Sequence, residues 1–396
     1  MSLGSRAISS PVTGVLPEPL RVIREEVMRS QQPAPDLDRL CGAWEEHVSS
    51  ATQRIEDLNV QGLGEILALG TLSPGCQACK DGTWDCIFTT MRCNLSCDFC
   101  YSPHAISQEY AGSPLGATPK EIAANHSRTR ITGISFSGGE PFAEPQKLFR
   151  WVDWFTSRRP QTYYWVYTNG LLADEPKLRR LAQLGIDEIR FNLAATGYDH
   201  PTVLENLAAA VHLIPNVTVE IPAIPEHAAK LLSCLQGWAA LGVKFLNLHE
   251  LIYEPGTNSA SMPGPRWPFV TEDGHRSAIH PESRSLTLAV MQRVQEDGLP
   301  LSVNDCSLQS KLRQLRGRRR NLAPLVKAPH ENLVRDQAFE SYCAFQGGDE
   351  VHFFHPDARD EMCRRYPHHR YARLVRTAPL TIHDPGRWIV FEEWAP

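Results

Sequence analysis

Between about residues 82 and 260, short runs of β-branched and aromatic residues alternate with amphipathic stretches. The short runs predict strands, and the apolar residues that recur every three or four positions between them predict helices. Six strands are predicted, at TWDCIFTTM, ITGISFSG, YYWVYTNG, DEIRFNL, VTVEIPAIP and KFLNLHELI. The predicted helices are Pro119–Asn125, Glu144–Ser157, Glu175–Leu184, Pro201–Leu213 and Glu226–Leu241. This alternation is typical of βαβ units, whose strands form a parallel sheet. Six such units could curl into a partial barrel or form a doubly wound open sheet.

The flanking regions have other patterns. Before the core, the pattern predicts a short helix at 19–30 and an amphipathic helix at 36–58. After the core, the pattern predicts a long loop at 259–277 and a helix near 283–297. It then predicts a strand at PLSVND, a basic helix at SLQSKLRQLRGRRR and a small β-rich appendage in the last fifty residues. We therefore predict a partly helical N-terminal extension at 1–70, a core at 71–260 and a mixed C-terminal region at 261–396 that covers the barrel opening.

Composition narrows the function classes. The 396 residues carry 40 basic and 45 acidic side chains, and this net charge of −5 disfavours a nucleic-acid binder. No apolar run is long enough to span a membrane, and the N-terminus lacks the apolar segment of a secretory signal, so a cytoplasmic protein is expected. The arginine-rich run at 316–320 is read as a solvated helix end, with phosphate binding as the alternative.

The 11 cysteines are unevenly placed. An odd number in a chain without an export signal makes a poor disulfide framework. Cys93, Cys97 and Cys100 have the C-x3-C-x2-C spacing that can hold three corners of a [4Fe–4S] cluster and leave the fourth iron open to a small molecule. A zinc site completed by Cys86 or His104 is the alternative.

A second motif, Ser137-Gly138-Gly139-Glu140-Pro141, ends the next predicted strand. Two glycines let a ligand approach the backbone closely, and the neighbouring carboxylate can hold an ammonium group. A plain turn into a helix is the structural alternative.

Together, the cysteine triplet with Tyr101 after it, the Gly-Gly-Glu-Pro motif and the order of the six units resemble the radical S-adenosylmethionine (radical SAM) superfamily over about residues 85–260. The resemblance implies an α/β fold, a partial (β/α)6 barrel with the cluster in the loop after its first strand. It also implies that SAM chelates the open iron and is cleaved by one electron to methionine and a 5′-deoxyadenosyl radical. An external one-electron donor, flavodoxin or ferredoxin, would reduce the cluster.

Alternation along three strands predicts a polar face turned into the barrel cavity. Its residues are Arg190, Asn192, Glu220, Asn247 and His249. By resemblance, the SAM-binding residues are Tyr101, Gly138, Gly139, Glu140, Thr168, Asn169, Asn192, Glu220 and Asn247. His249, Glu250 and Arg190 are the candidates for acid/base or binding work on the substrate, and an interior ion pair with Arg190 is the structural alternative.

A second cysteine set comprises Cys76 and Cys79 in a C-x-x-C pair and the distant Cys306. It resembles a branch of the superfamily related to pyruvate-formate-lyase activators, which implies an auxiliary Fe–S cluster on these three residues. Cys86, Cys343, Cys363 or the substrate would supply a fourth ligand. Ordinary structural thiols are the alternative.

The sequence thus predicts an enzyme that abstracts hydrogen from a small-molecule or peptide substrate and does not act at a membrane. RNA modification and a non-catalytic iron–sulfur or zinc protein are the competing hypotheses.

Overall fold

A computed structural model describes residues 12–14, 58–61, 66–100, 118–126, 130–270, 276–334, 338–346, 350–377 and 388–394. It divides the chain into two compact units. The larger comprises residues 34–315, and the smaller comprises residues 1–33 together with 316–396.

The elements are named in chain order. The strands are β1 (Val12–Gly14), β2 (Leu58–Gln61), β3 (Ile66–Leu69), β4 (Trp84–Thr90), β5 (Gly133–Gly138), β6 (Tyr163–Thr168), β7 (Glu188–Phe191), β8 (Asn216–Ala223), β9 (Phe245–Glu250), β10 (Ile252–Tyr253), β11 (Trp267–Val270), β12 (Arg276–Ile279), β13 (Ser302–Cys306), β14 (Asn332–Val334), β15 (Ala338–Gln346), β16 (Glu350–Phe354), β17 (Arg370–Thr377) and β18 (Trp388–Trp394). The helices are α1 (Pro74–Lys80), α2 (Pro119–His126), α3 (Pro145–Thr156), α4 (Glu175–Gln183), α5 (Pro201–Leu213), α6 (Ala228–Ala240), α7 (Ser283–Glu296), α8 (Leu308–Val326) and α9 (Arg359–Arg365).

The larger unit is built on one mixed sheet. Over the described residues its strand order is β2-β3-β13-β9-β8-β7-β6-β5-β4. Strands β4 to β9 are parallel and adjacent in chain order, and β13 extends them in parallel beside β9. The six strands and the five helices predicted between them are confirmed, and the fold is an α/β partial barrel that is not closed.

The outward face of this sheet carries the apolar core. Alternate residues of the strands, including Phe136, Phe191 and Leu246, are fully buried against the helices. Helix α3 shows why the helices pack there: its Leu148, Trp151, Val152 and Phe155 recur at helical spacing and are all buried.

The opposite face is polar, as the alternation predicts. Arg190 on β7 lies 2.8 Å from the Glu188 carboxylate and 2.7 Å from that of Glu220 on β8. Helix α1 lies against this inner face, because Cys76 contacts Asn247 of β9 while Gly75 packs against Trp165 of β6. Contacts from one short helix to strands this far apart in the sheet show that the sheet curves around it.

The predicted long loop at 259–277 is wrong in part. It contains β11 and the start of β12, which form an antiparallel three-stranded sheet with β10 in the order β10-β12-β11. Local composition misleads here because Pro268 lies on the edge strand, where its missing N–H leaves the ladder intact. The pairing of β12 with β10, which tertiary contacts set, then offsets the weak local preference of these residues for strands.

The smaller unit is β-rich, as predicted for the end of the chain. Its described strands form an antiparallel sheet in the order β1-β16-β15-β17-β18, and β14 pairs with β15. Helix α9 contributes Met362 to a core with Ala344, Phe354 and Tyr371.

Several predictions about the flanks are not decided. The predicted helices at 19–30 and 36–58 lie outside the described residues, except that Leu58 begins β2. The predicted boundaries after residues 70 and 260 stay predictions. No helix among the described residues is long and apolar enough to cross a membrane.

The buried Arg190 gives the first test of the fold. Arg190→Met should destabilise the protein by about 3–5 kcal/mol, because it leaves two carboxylates buried without their cation. Anaerobic urea unfolding measures this change. Arg179→Met is the control, since Arg179 pairs with Glu175 on the exposed face of α4 and should leave the midpoint unchanged. Equal shifts in the two variants would contradict the role of Arg190.

Candidate functional site

The predicted cluster-binding cysteines lie in the loop at 91–100, directly after β4. Cys93, Cys97 and Cys100 are all half-buried. Burial and the neighbouring thiols of Cys100 and Cys93 raise the pKa of Cys97 to about 12, so Cys97 lies within electrostatic reach of both other thiols. A cation or cluster bound there would reverse this cost, since metal ligation deprotonates a thiol.

The Gly-Gly-Glu motif holds the start of this cysteine loop. Gly139 N–H donates to the Thr90 carbonyl at 2.9 Å, and Glu140 N–H donates to the Arg92 carbonyl at 2.8 Å. A Cβ on Gly138, whose φ is +135°, would lie 1.8 Å from the Thr90 carbonyl oxygen. The glycines are therefore required for the close approach of two loops, a reason that sequence reasoning did not supply.

The Glu140 carboxylate points into the protein and is 0% exposed. It accepts hydrogen bonds from Phe142 N–H at 3.0 Å, Thr168 Oγ1 at 2.9 Å and Asn169 N–H at 2.7 Å. Burial raises the pKa of Glu140 to about 7, although these three donors oppose the shift. Its predicted contact with the SAM ammonium group stays a prediction, and the structure adds that this carboxylate joins the ends of β5 and β6.

Two further predicted SAM ligands follow the ends of β6 and β7. Asn169 donates through Nδ2 to Asn94 Oδ1 of the cysteine loop at 2.7 Å. Asn192, after β7, has a buried Oδ1 with no hydrogen-bond partner among the described residues, so this atom is available to a donor on a ligand. Tyr101 lies outside the described residues.

Three other thiols meet inside the curved sheet. Cys76 and Cys79 reach the inner face from α1, and Cys306 ends β13; all three are buried. Burial raises the pKa of Cys79 well above its ordinary value, and the nearby Cys76 and Cys306 raise it further. The structure therefore brings Cys306 into electrostatic reach of the C-x-x-C pair across more than 220 residues of sequence.

Polar side chains from three strands surround these thiols. Asn247 donates through Nδ2 to Cys76 Sγ at 3.1 Å and to Glu220 Oε2 at 2.8 Å. Asn304 of β13, which sequence reasoning did not single out, also donates to Cys76 Sγ, at 3.7 Å. His249 Nε2 lies 2.7 Å from Glu220 Oε1. Asn247, predicted as a SAM ligand, thus contacts Cys76, and Glu220, predicted likewise, contacts Asn247 and His249; their roles toward SAM stay predictions.

The remaining catalytic candidates have structural partners. Glu250 Oε2 accepts from Leu308 N–H at 2.7 Å, which caps the start of α8, and burial raises the pKa of Glu250 to about 7. Arg190 forms the interior ion pairs that the sequence offered as its alternative role. Catalysis by either residue stays a prediction.

The zinc alternative receives no direct support from side-chain geometry. Within the residues that the structure describes, no group of three His, Cys, Asp or Glu side chains is arranged around a single metal ion. His104, one of its proposed ligands, lies outside those residues. The ligand sulfurs of a cubane lie about 6–7 Å apart, whereas those of a tetrahedral zinc lie about 4 Å apart.

A loop at 254–262, which sequence reasoning missed, holds the far end of the cysteine loop. Asn258 donates to the Phe99 carbonyl at 3.0 Å and to the Ile252 carbonyl at 2.8 Å, and Ser261 donates to the Asp98 carbonyl at 2.8 Å. The Phe99 ring packs against a small apolar cluster made by Ile224, Leu251, Tyr253 and Met262. An Asn in a Pro/Gly-rich stretch carries no local signal for this role.

Comparison with known proteins bears on the family. A model of a 4Fe–4S single cluster domain matches residues 81–184, which contain the cysteine loop and the Gly-Gly-Glu motif. A Methanocaldococcus jannaschii protein with the provisional name of a glycyl-radical enzyme activating enzyme is 26% identical over 276 residues. The match covers 67% of this chain and 71% of that protein. These matches support membership of the radical SAM superfamily of enzymes.

Two further proteins are similar to this chain. The PqqA peptide cyclase of Gluconobacter oxydans is 35% identical over 103 residues, 26% of this chain and 28% of the cyclase. Among solved structures, Streptococcus suis SuiB bound to S-adenosylmethionine matches with a TM-score of 0.42 and 12% identity. That match covers 73% of this chain and 60% of SuiB.

Asn258 gives a test of how the cysteine loop is held. Asn258→Asp keeps the acceptor for Glu254 N–H but sets an oxygen against the Phe99 and Ile252 carbonyls. The loss of about 1–3 kcal/mol should make the loop open about tenfold more often. Bleaching of the cluster absorbance in air should speed up by a similar factor.

Thr257→Ala is the matched control, because Thr257 Oγ1 donates to the Glu254 carbonyl within the same loop. We expect this variant to bleach at the wild-type rate. Identical rates for Asn258→Asp and wild type, at equal initial iron, would show that Asn258 does not hold the cluster loop.

Proposed function

We propose that this radical SAM enzyme cleaves SAM reductively at a [4Fe–4S] cluster held by Cys93, Cys97 and Cys100 and abstracts hydrogen from a small-molecule or peptide substrate. When bound, the cluster supplies the electron that converts SAM to methionine and a 5′-deoxyadenosyl radical. The observation that carries the proposal is the cysteine loop itself, which bears three half-buried thiols and is fixed at both ends by hydrogen bonds.

The residues around this loop fit a bound SAM. Asn192 Oδ1 is a buried acceptor without a partner in the described part of the chain, and it lies at a strand end beside the loop after β6. We assign it to the ribose hydroxyls or the amino group of SAM, which are the donors that SAM presents. Gly138, Gly139, Thr168 and Asn169 would shape the backbone around the amino-acid portion, with Glu140 fixing their positions.

An auxiliary Fe–S cluster on Cys76, Cys79 and Cys306 is the second part of the proposal. Cys76, Cys79 and Cys306 are all buried, and Cys79 lies within electrostatic reach of the other two, although they come from α1 and from the end of β13. Side-chain amides also donate to Cys76 Sγ, and such hydrogen bonds to sulfur set the potential of a bound cluster. The thiols therefore fit a redox-active cluster better than simple core packing.

The substrate class follows from the enclosed inner face. A carbon radical must form away from stray hydrogen donors, and a barrel cavity provides that enclosure. The polar lining of β7, β8 and β9 suits a substrate with hydrogen-bonding groups, and the peptide substrate named for the Gluconobacter relative is one such class. A one-electron carrier of the flavodoxin or ferredoxin type would serve as donor.

The proposal is tested with anaerobically reconstituted protein, SAM and dithionite. Wild type should release 5′-deoxyadenosine and methionine, detected by liquid chromatography and mass spectrometry. Replacement of Cys93, Cys97 and Cys100 by Ala should remove about four irons per chain and all 5′-deoxyadenosine. Cys234→Ala on helix α6 is the control and should behave as wild type. Continued 5′-deoxyadenosine release by the triple variant would overturn the assignment.

A further inference from the structure

The inner face of the partial barrel leaves the fourth ligand of the auxiliary site undecided. Three thiols supply three corners of a cubane, and the sequence offered Cys86, Cys343 and Cys363 as a fourth. Cys343 and Cys363 belong to the smaller unit. His249 lies beside one of the three thiols, because it is the strand partner of Cys306 in the parallel pairing of β9 with β13.

The two side chains are neighbours on the same face. Strand partners in a parallel pair project to the same side of the sheet. The imidazole of His249 therefore lies beside the Cys306 thiol, within electrostatic reach. The Cys306 thiol also lies within electrostatic reach of Cys79 on α1. His249 is therefore adjacent to whatever those thiols hold.

A carboxylate fixes the orientation of this imidazole. His249 Nε2 lies 2.7 Å from Glu220 Oε1. The other oxygen of Glu220 accepts from Arg190 at 2.7 Å and from Asn247 at 2.8 Å, so the carboxylate cannot turn away. An ionised carboxylate accepts hydrogen bonds only, which places a proton on Nε2 and directs Nδ1 to the opposite side.

The second ring nitrogen is left without a protein partner. Nδ1 of His249 is buried and has no hydrogen bond within the described parts of the chain. A histidine that binds a metal in proteins almost always donates its other N–H to a carboxylate or carbonyl, which sets the tautomer and raises its basicity. Glu220, Nε2 and the buried Nδ1 reproduce that arrangement.

We propose that His249 Nδ1 is the fourth ligand of the auxiliary cluster bound by Cys76, Cys79 and Cys306, with Glu220 as the positioning residue. This inference rests on the auxiliary cluster of the proposed function. Three thiolates and one imidazole give the cluster a less negative ligand set than four thiolates. Replacement of thiolate by imidazole raises the reduction potential of an Fe–S centre, so this cluster would accept an electron more readily.

The test isolates the auxiliary site in the Cys93→Ala/Cys97→Ala/Cys100→Ala background. The protein is labelled with ¹⁵N-histidine, reconstituted anaerobically, reduced with dithionite and examined by pulsed EPR. We expect about four irons per chain and a directly coupled ¹⁵N nucleus. Adding His249→Cys should keep the iron, abolish the ¹⁵N coupling and lower the midpoint potential.

A control and a second protein keep the test decisive. His126→Gln removes another buried histidine, paired with Asp85 at 2.6 Å on helix α2, and should leave the coupling unchanged. Circular dichroism checks that each variant is folded. If the background variant does not fold, the same labelled spectra of wild type and of the His249→Cys single variant decide the question.

The outcomes separate the two claims. A cluster with four irons and no histidine coupling overturns the ligand assignment and leaves the auxiliary cluster standing. Zinc in place of iron, or no metal in a folded variant, overturns the auxiliary cluster and the His249 assignment with it. Neither result bears on SAM cleavage at Cys93, Cys97 and Cys100, which has its own test.

Discussion

The buried guanidinium of Arg190 organises the inside of this partial barrel. It pairs with Glu188 at 2.8 Å and Glu220 at 2.7 Å, lies over the Trp165 ring at 4.8 Å, and donates to Ser73 Oγ at 3.3 Å. Ser73 is the N-cap of α1, so the same cation that balances two strand carboxylates also anchors the short helix carrying Cys76 and Cys79. A buried ion pair adds little net stability, and its value here is in fixing geometry.

The consequences of this pairing extend to the inner thiol set and to the histidine beside it. A Cβ on Gly75 would be 2.5 Å from Nη2 of Arg190, so the absence of a side chain there lets α1 lie close against the inner face. Through Glu220, Arg190 also sets the direction of His249 beside Cys306. The cysteine loop after β4 is held differently, by backbone hydrogen bonds from Gly139 and Glu140 and by side chains of Asn169 and Asn258. One barrel thus supports two thiol sites by independent means.

Much of this arrangement was predictable from local patterns. Strict alternation in β7, β8 and β9 placed Arg190, Glu220 and Asn247 on one face, because successive residues of a strand point to opposite sides. The helices followed from apolar spacing of three and four residues. Both patterns can be detected in the sequence because each repeats within a single strand or helix.

Other features depend on contacts between distant segments and left no local trace. The position of α1 inside the curve, the inward turn of the Glu140 carboxylate and the hold of Asn258 on the Phe99 carbonyl each require knowing which loops meet. The three-stranded sheet of β10, β11 and β12 was mistaken for a loop because its proline and glycine content outweighed its short strands. Tertiary pairing overrides such weak preferences.

The central claim is that this barrel binds two iron–sulfur clusters, one in the loop after β4 and one between α1 and the end of β13. The most direct measurement is anomalous scattering at the iron edge from crystals grown anaerobically. The account predicts two separate iron sites, with the second bounded by Cys76, Cys79 and Cys306. A single site at Cys93, Cys97 and Cys100, with the three inner thiols in contact with protein atoms alone, would contradict it.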